Sequence, residues 1–256
     1  MPRTADPRTR RAPSARDVRA GVFIGEGGEV AQYQLAAAVF PNTDPMVVSR
    51  FVTRWRTAKW LRVDRPQGIG INRLRLTPAG RTFLVAAGAA PETALFAPAR
   101  LVAPQDLAHT LWINDVRVVV GELPVPPTKL SPAWHLQRVF GTTLPAIPDV
   151  LAVWETTARG AGAVLAIEID RGTEALQGVL LPKLALLRAQ VREWAGNGTA
   201  GILILTMPGK RLHALTAACP LDSKVPLVVA PLPAVEGPAS LDHLRLLLAD
   251  PSTRPI

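Results

Sequence analysis

The apolar positions change period several times along this chain, and each change marks an element. Residues 17–25 form a short helical pattern broken at Gly27-Gly28, and residues 30–40 (VAQYQLAAAVF) carry a second helical stripe. A turn at 41–45 ends in Asp44-Pro45, an N-cap residue followed by proline at the first helical position. Residues 45–61 then read as a long amphipathic helix with Val47, Phe51, Trp55 and Ala58 toward the core. Two short strand patterns, 61–64 and 71–76, flank a Gly/Pro loop and predict a β-hairpin. Thr77-Pro78 opens a last short helix through Val85.

Residues 85–104 are small, proline-rich and weakly patterned. Residues 105–120 return to helical period, with Leu107, Leu111, Asn114 and Val118 on one face. A proline break follows at 123–128, and the pattern at 134–140 leaves strand and short helix open. Strands are predicted at 149–155 and 163–170, joined by a polar turn at 156–162 as a hairpin. Residues 173–194 are helical, with Pro182 kinking or splitting the helix. A strand at 201–206, a helix at 209–218, a strand at 225–232 and a helix at 241–248 complete an α/β order with a mixed sheet. The longest apolar runs are strand-length, so no membrane span is predicted.

Charge divides the chain in two. Residues 1–100 carry 16 Lys or Arg against 7 Asp or Glu, and residues 101–256 carry 13 of each. A basic module joined to a neutral one points to a polyanionic partner for the first, with double-stranded DNA the leading case. The first 20 residues hold six arginines. They read either as a solubilising tail or as an arm on DNA, with an organelle transit peptide a third reading. Cys219 is the only cysteine, which excludes an internal disulfide and fits a reducing compartment. With no apolar signal core, a cytoplasmic protein is expected.

Three helices, a hairpin and a closing helix are the order of a winged helix-turn-helix, and the run RLRLTPAGRTFL (73–84) resembles the wing ending of bacterial winged-helix regulators. The third helix would then enter the major groove, bringing Ser49, Arg50, Thr53, Arg54, Arg56 and Lys59 to bases or phosphates. Arg62, Arg65, Arg73 and Arg75 would meet the flanking backbone. The competing reading is a solvated basic face on a protein-binding module. The predicted organisation is a basic flexible arm (1–20), a winged-helix DNA-binding domain (21–86), a linker (87–104) and an α/β domain (105–256).

The second domain offers carboxylates. Asp149 opens one strand, while Glu168 and Asp170 share a face near the end of the next. The hairpin would bring the three together, and a divalent cation, Mg²⁺ or Mn²⁺, would relieve their repulsion. Pro148-Asp149 followed by Glu168-Ile169-Asp170 resembles the PD-(D/E)xK nuclease core, a restriction-endonuclease-like mixed-sheet fold. Asp170 stands where that motif has lysine. In some such nucleases the lysine comes from the following helix, where Lys183 is the candidate. The catalytic set implied is Asp149, Glu168, Asp170 and Lys183, with the three acids as metal ligands.

A wider resemblance covers most of the chain. LAHTLWINDVRVVV (107–120), PDVLAVW (148–154) and EIDRGTE (168–174), after a winged helix, resemble the plasmid replication-relaxation family. The resemblance implies a role in replication or mobilisation of a plasmid, phage or integrative element, and leaves open whether the domain cuts DNA. The matching positions are Asn114, Asp115, Arg117, Asp149, Glu168, Asp170, Arg171, Thr173 and Glu174.

Structural readings compete at these positions. Thr173 and Glu174 suit a helix start, and Asp149 a strand that simply follows proline. Glu168, inside an apolar strand, requires Arg117, Arg171 or a metal as partner. The four histidines make no zinc spacing, and MPGKRL (207–212) lacks P-loop spacing. The leading reading is a two-domain DNA-binding protein of a mobile element, working as a homodimer or with replication or mobilisation proteins. Its rivals are a Mg²⁺-dependent endonuclease and a winged-helix transcriptional regulator.

Overall fold

The structure is a computed structural model that describes residues 13–65, 71–98, 102, 104–141, 143–155, 162–219, 224–233 and 237–250, the side chains at 104 and 105 excepted. Most of the expected arm (1–12), the hairpin tip (66–70) and most of the later turn (156–161) lie outside the described residues. The chain divides into two compact units, Met1–Leu111 and Trp112–Ile256.

In the first unit, α1 (Ala15–Gly27) is closed by a capping box. The Ser14 hydroxyl accepts from the Asp17 amide at 3.3 Å, and the Asp17 carboxylate accepts from the Ser14 amide at 2.8 Å. Arg16 and Arg19, expected in a flexible arm, are therefore helical. β1 (Val30–Ala31) precedes α2 (Gln32–Val39), because Val30 and Ala31 pair with a later strand before the helix begins. α3 (Pro45–Thr57) starts at Asp44, whose side chain accepts from the Met46 amide at 2.8 Å. Its buried face is Val48, Phe51, Val52 and Trp55, turned slightly from the predicted Val47–Ala58 edge.

β2 (Leu61–Asp64) and β3 (Arg73–Leu76) pair antiparallel, and the sheet order is β1-β3-β2. α4 (Pro78–Ala86) is capped by the Thr77 hydroxyl, which accepts from the Gly80 amide at 3.0 Å. Glycine is needed at 80, since a Cβ there would lie 2.1 Å from the Trp60 carbonyl oxygen. After a 3₁₀ turn (Glu92–Ala94), Leu95 enters the core beside Ile24, Leu35, Phe51, Trp55, Leu74 and Leu84. Part of the segment expected as linker is thus core.

β3 is buried at all four positions. Leu74 and Leu76 join the apolar core, whereas Arg73 and Arg75 alternate to the opposite side of the strand. Arg73 pairs with the buried Glu29, and its Nη2 donates to the Val102 carbonyl at 3.3 Å. Arg75 Nη1 donates to the Pro98 carbonyl at 3.2 Å, with Nε 3.4 Å from Asp64 Oδ2. These two arginines, expected against a DNA backbone, are interior ion-pair partners instead.

The second unit takes in α5 (Pro104–Gly121) from Trp112 onward, then β4 (Lys129–Pro132), α6 (Ala133–Phe140), β5 (Val150–Trp154) and β6 (Ala163–Asp170). A single π-helical turn (Leu176–Leu180) leads into α7 (Leu181–Ala195), and β7 (Thr199–Thr206), α8 (Lys210–Ala218), β8 (Leu227–Pro231) and α9 (Pro238–Ala249) complete it. Pro182 sits in the first turn of α7, so it starts that helix rather than kinking it. The result is a mixed α/β fold. Its sheet runs β4-β5-β6-β7-β8, antiparallel through β6 and parallel from β6 to β8. Val164 and Ala166 of β6 and Ala200, Ile202 and Ile204 of β7 share a core with Leu184, Leu187 and Val191 of α7 and Leu215 of α8. Among the described residues, no helix is long and apolar enough to cross a membrane.

The Glu29–Arg73 pair gives a direct test. Glu29→Gln leaves Arg73 charged and buried, and should lower stability by about 3–5 kcal/mol. Glu92→Gln, which breaks the largely exposed pair with Arg81, should cost less than about 1 kcal/mol. Urea unfolding followed by tryptophan fluorescence measures both.

Candidate functional site

On the first unit, α3 turns Ser49, Arg50, Thr53 and Arg56 to solvent. Lys59 is exposed in the turn that follows, where it adopts φ +60° and the Thr77 hydroxyl donates to its carbonyl at 2.7 Å. Arg62 on β2 and Arg65 just beyond it are exposed as well. Arg62 lies 3.6 Å from Asp64, too far for a close pair. Arg54 is half-buried and ion-paired with Asp17 of α1. Of the ten sequence-predicted contact residues, seven therefore lie exposed on or just after α3 and β2, while Arg54, Arg73 and Arg75 are engaged internally.

On the second unit, the antiparallel ladder of β5 and β6 pairs Val150 with Ile167. One step further along, Asp149 stands opposite Glu168. Asp149 Oδ2 accepts from the Ile169 amide at 2.8 Å, and its carbonyl accepts from the Ala133 amide at 2.9 Å. Glu168 is 3 % exposed and faces α7, where Lys183 Nζ donates to its Oε2 at 2.7 Å. Its other oxygen, Oε1, is buried with no hydrogen-bond partner among the described residues. The partner of Glu168 is thus Lys183, and neither Arg117 nor Arg171.

Asp170 is on the same face but belongs to a different cluster. The β6–β7 register sets it beside Thr206, whose hydroxyl donates to Oδ2 at 2.7 Å. Arg211, in the first turn of α8, clamps both carboxylate oxygens, through Nε at 2.7 Å and Nη2 at 2.9 Å, and also donates to the Glu174 carbonyl at 2.9 Å. Sequence reading missed Arg211. Its signal was the basic MPGKRL turn, which follows the strand neighbouring Asp170. With its oxygens so occupied, Asp170 leaves the expected ligand set. Among the described residues, no group of three or more His, Cys, Asp or Glu is placed to hold a metal ion.

Electrostatics separates the two clusters. Burial raises the Glu168 carboxyl to about 8, helped by the facing Asp149 and against the pull of Lys183. Burial works to lower Lys183, yet the carboxylates of Glu168, Asp149 and Glu174 leave it raised. Burial also works to raise Asp170, but hydrogen bonds from Arg211, Thr206 and the Gly172 amide, with the Arg211 charge, hold it below the usual range.

The remaining motif positions serve the frame. Asn114, Asp115 and Arg117 are buried on α5, and Arg117 Nη1 donates to Asn114 Oδ1 at 2.8 Å. The Ser240 hydroxyl, in the first turn of α9, bonds to Asp115, placing a carboxylate at that helix's positive end. Thr173 and Glu174 precede the helical turn, whose cap position is Ala175, and no side chain caps it. The helix-start reading of Thr173 and Glu174 is therefore replaced by a loop tied to Arg211.

Glu168 generates a pH signature. Folded protein keeps a proton on Glu168 between about pH 4.5 and about 8, where the unfolded chain has lost it. Its contribution to stability is complete below that window and disappears as pH rises through it, with a slope of up to about 1.4 kcal/mol per pH unit. Glu168→Gln should flatten this fall, as read from urea midpoints across the window. An unchanged slope would assign the titration elsewhere.

Set against known proteins, a family model described as replication-relaxation matches residues 23–202. No curated protein matches the chain, and neither does any solved structure. The matched span runs from within α1 to within β7 and includes Asn114, Asp115, Arg117, Asp149, Glu168, Asp170 and Lys183, while Arg211 lies beyond it. With more than half of its length inside that match, the chain belongs to the replication-relaxation family.

Proposed function

We propose that this is a DNA-binding protein of a plasmid, phage or integrative element, acting in the cytoplasm in replication-relaxation or mobilisation. The observation that carries the reading is the exposed basic surface of α3 and β2. Arg50, Arg56, Lys59, Arg62 and Arg65 are all exposed there, on the unit that holds eight of the chain's nine excess positive charges. Support comes from the element order of that unit: a three-stranded antiparallel sheet in order β1-β3-β2, with α3 before the β2–β3 hairpin. A winged helix has this order and lays its third helix in the major groove. Family membership supports the mobile-element setting.

Five exposed cations predict that duplex affinity falls with salt at a logarithmic slope of about −4 to −5. Arg56→Ala should weaken binding and reduce the magnitude of that slope by about 1. Fluorescence anisotropy on a labelled duplex across a salt series measures both. Salt-insensitive binding would overturn the reading.

A second reading, a Mg²⁺- or Mn²⁺-dependent endonuclease, is favoured by the Asp149–Glu168–Lys183 cluster. The donor set fits a hard cation: two facing carboxyl groups, one buried oxygen with no partner among the described residues, and a carboxyl whose raised pKa a cation would relieve. Asp149 and Glu168 would hold the ion, which when bound polarises phosphate and supplies hydroxide near neutral pH. Lys183, from the helix after β6, orients Glu168 and places a positive charge beside it. Asp170, held by Arg211, takes no part as a ligand.

In that reading, supercoiled plasmid with Mg²⁺ or Mn²⁺ yields nicked or linear product, and Glu168→Ala abolishes it. Intact plasmid retarded on a native gel and released by salt would instead leave the second unit as a scaffold. Sequence-specific binding at a two-fold symmetric site without strand loss would favour a transcriptional regulator.

A further inference from the structure

A cleft of about 290 Å³ lies in the first unit beside α3. Phe40, Val47 and Phe51 line it, and the two phenylalanines are almost wholly buried. Three arginines also line it: Arg16 from α1 and Arg50 and Arg54 from α3. The cleft's single acid, Asp17, is already used. It pairs with Arg54 and accepts from the Ser14 amide at 2.8 Å and the Ser14 hydroxyl at 2.9 Å. Among the described residues, Arg16 and Arg50 have no carboxylate partner, and the Arg16 guanidinium lies 5.9 Å above the Phe40 ring. Among the described residues, two positive charges lining this apolar-based cleft are thus uncompensated.

We infer that this cleft seats a phosphate monoester. Such a group carries close to two negative charges at neutral pH and three strong acceptor oxygens, which matches two unpaired guanidiniums able to bind it in a forked manner. An internal phosphodiester carries one charge and is flanked by chain on both sides, so a duplex backbone passes across a cleft rather than into it. The cleft is larger than a phosphate group requires, and the attached sugar would lie against Val47 and Phe51. A 5′-phosphorylated DNA end and a free mononucleotide present the same chemistry. The site shares Arg50 with the groove-binding reading but does not rest on it, because its ligand enters by a terminal phosphate.

The experiment uses the full chain and two labelled duplexes identical except for a 5′-phosphate or a 5′-hydroxyl. Adenosine 5′-monophosphate and adenosine serve as competitors, and anisotropy and intrinsic fluorescence are the readouts. The phosphorylated duplex should bind about tenfold tighter, and Arg16→Gln should collapse that ratio toward one while Arg16→Lys preserves part of it. The ratio is the readout because any general loss of DNA affinity affects both duplexes alike. Competition by the mononucleotide and not by adenosine would support the site and identify free nucleotide as a ligand. A preference seen only between the duplexes would support it and identify the DNA end. Equal affinity for both duplexes, with no response to the mononucleotide, would overturn the inference while leaving salt-dependent duplex binding intact. Mononucleotide binding that requires Arg16, with no duplex binding, would uphold it and sink the groove reading.

Discussion

A carboxyl group removed from water must find a cation, a set of donors or a proton, and this requirement shapes both units. Glu29 finds Arg73, Asp64 finds Arg75, Glu168 finds Lys183, and Asp170 finds Arg211. Glu29–Arg73 and Asp170–Arg211 join elements distant in sequence, and the other two pairs join neighbouring ones. The first two tie β3 to the end of α1 and to β2, and the second two tie β6 to the helices that follow it. The apolar stripes specify which faces turn inward, but the pairs fix where the strands sit along those faces. A one-residue slip of β6 would exchange Glu168 and Asp170 for Ile167 and Ile169, leaving both cations unmatched.

The two acidic clusters of β6 obey the same rule with different results. Asp170 receives a bidentate guanidinium, a hydroxyl and a backbone amide, which leaves its charge fully supported. Glu168 receives one ammonium for two oxygens, with another carboxyl directly across the ladder. An undersupplied carboxyl beside a second one is a location where a cation gains more than it does at Asp170. That difference, and not proximity in sequence, separates a candidate chemical site from a structural one on the same strand face.

Much of this was readable from residues alone. Strand β6 spans the apolar run with its two acids, Asp44-Pro45 starts α3, and Thr77-Pro78 starts α4. Those signals are local, carried by capping chemistry or by period. The missing parts were long-range. β1 is two residues long and exists only through its partner β3, and β4, with Lys129 and Pro132, has no strand-like period. The burial of Arg73 and Arg75 was hidden because RLRL reads as alternating out and in, whereas the Pro98 and Val102 carbonyls meet the two arginines on the outer side. Arg211 was hidden for a related reason: its partner lies 41 residues earlier, and only the parallel β6–β7 register brings them together.

Burial also sharpens what the charge asymmetry means. Within residues 1–100, Asp17, Glu29, Asp64 and Glu92 are each engaged by an arginine. Setting those four pairs aside leaves twelve Lys or Arg against three acids, so the excess of nine is undiminished while more than half of the acids are spent. Pairing therefore occupies four of the acids that would otherwise screen the surface, and among the described residues Arg50, Arg56, Lys59, Arg62 and Arg65 remain exposed on or just after α3 and β2. The same arginine count with its acids left on the surface would give a mixed, weakly steering field. The structural role of Arg73 and Arg75 thus removes two expected contacts yet strengthens the case for a polyanion at the residues that remain exposed.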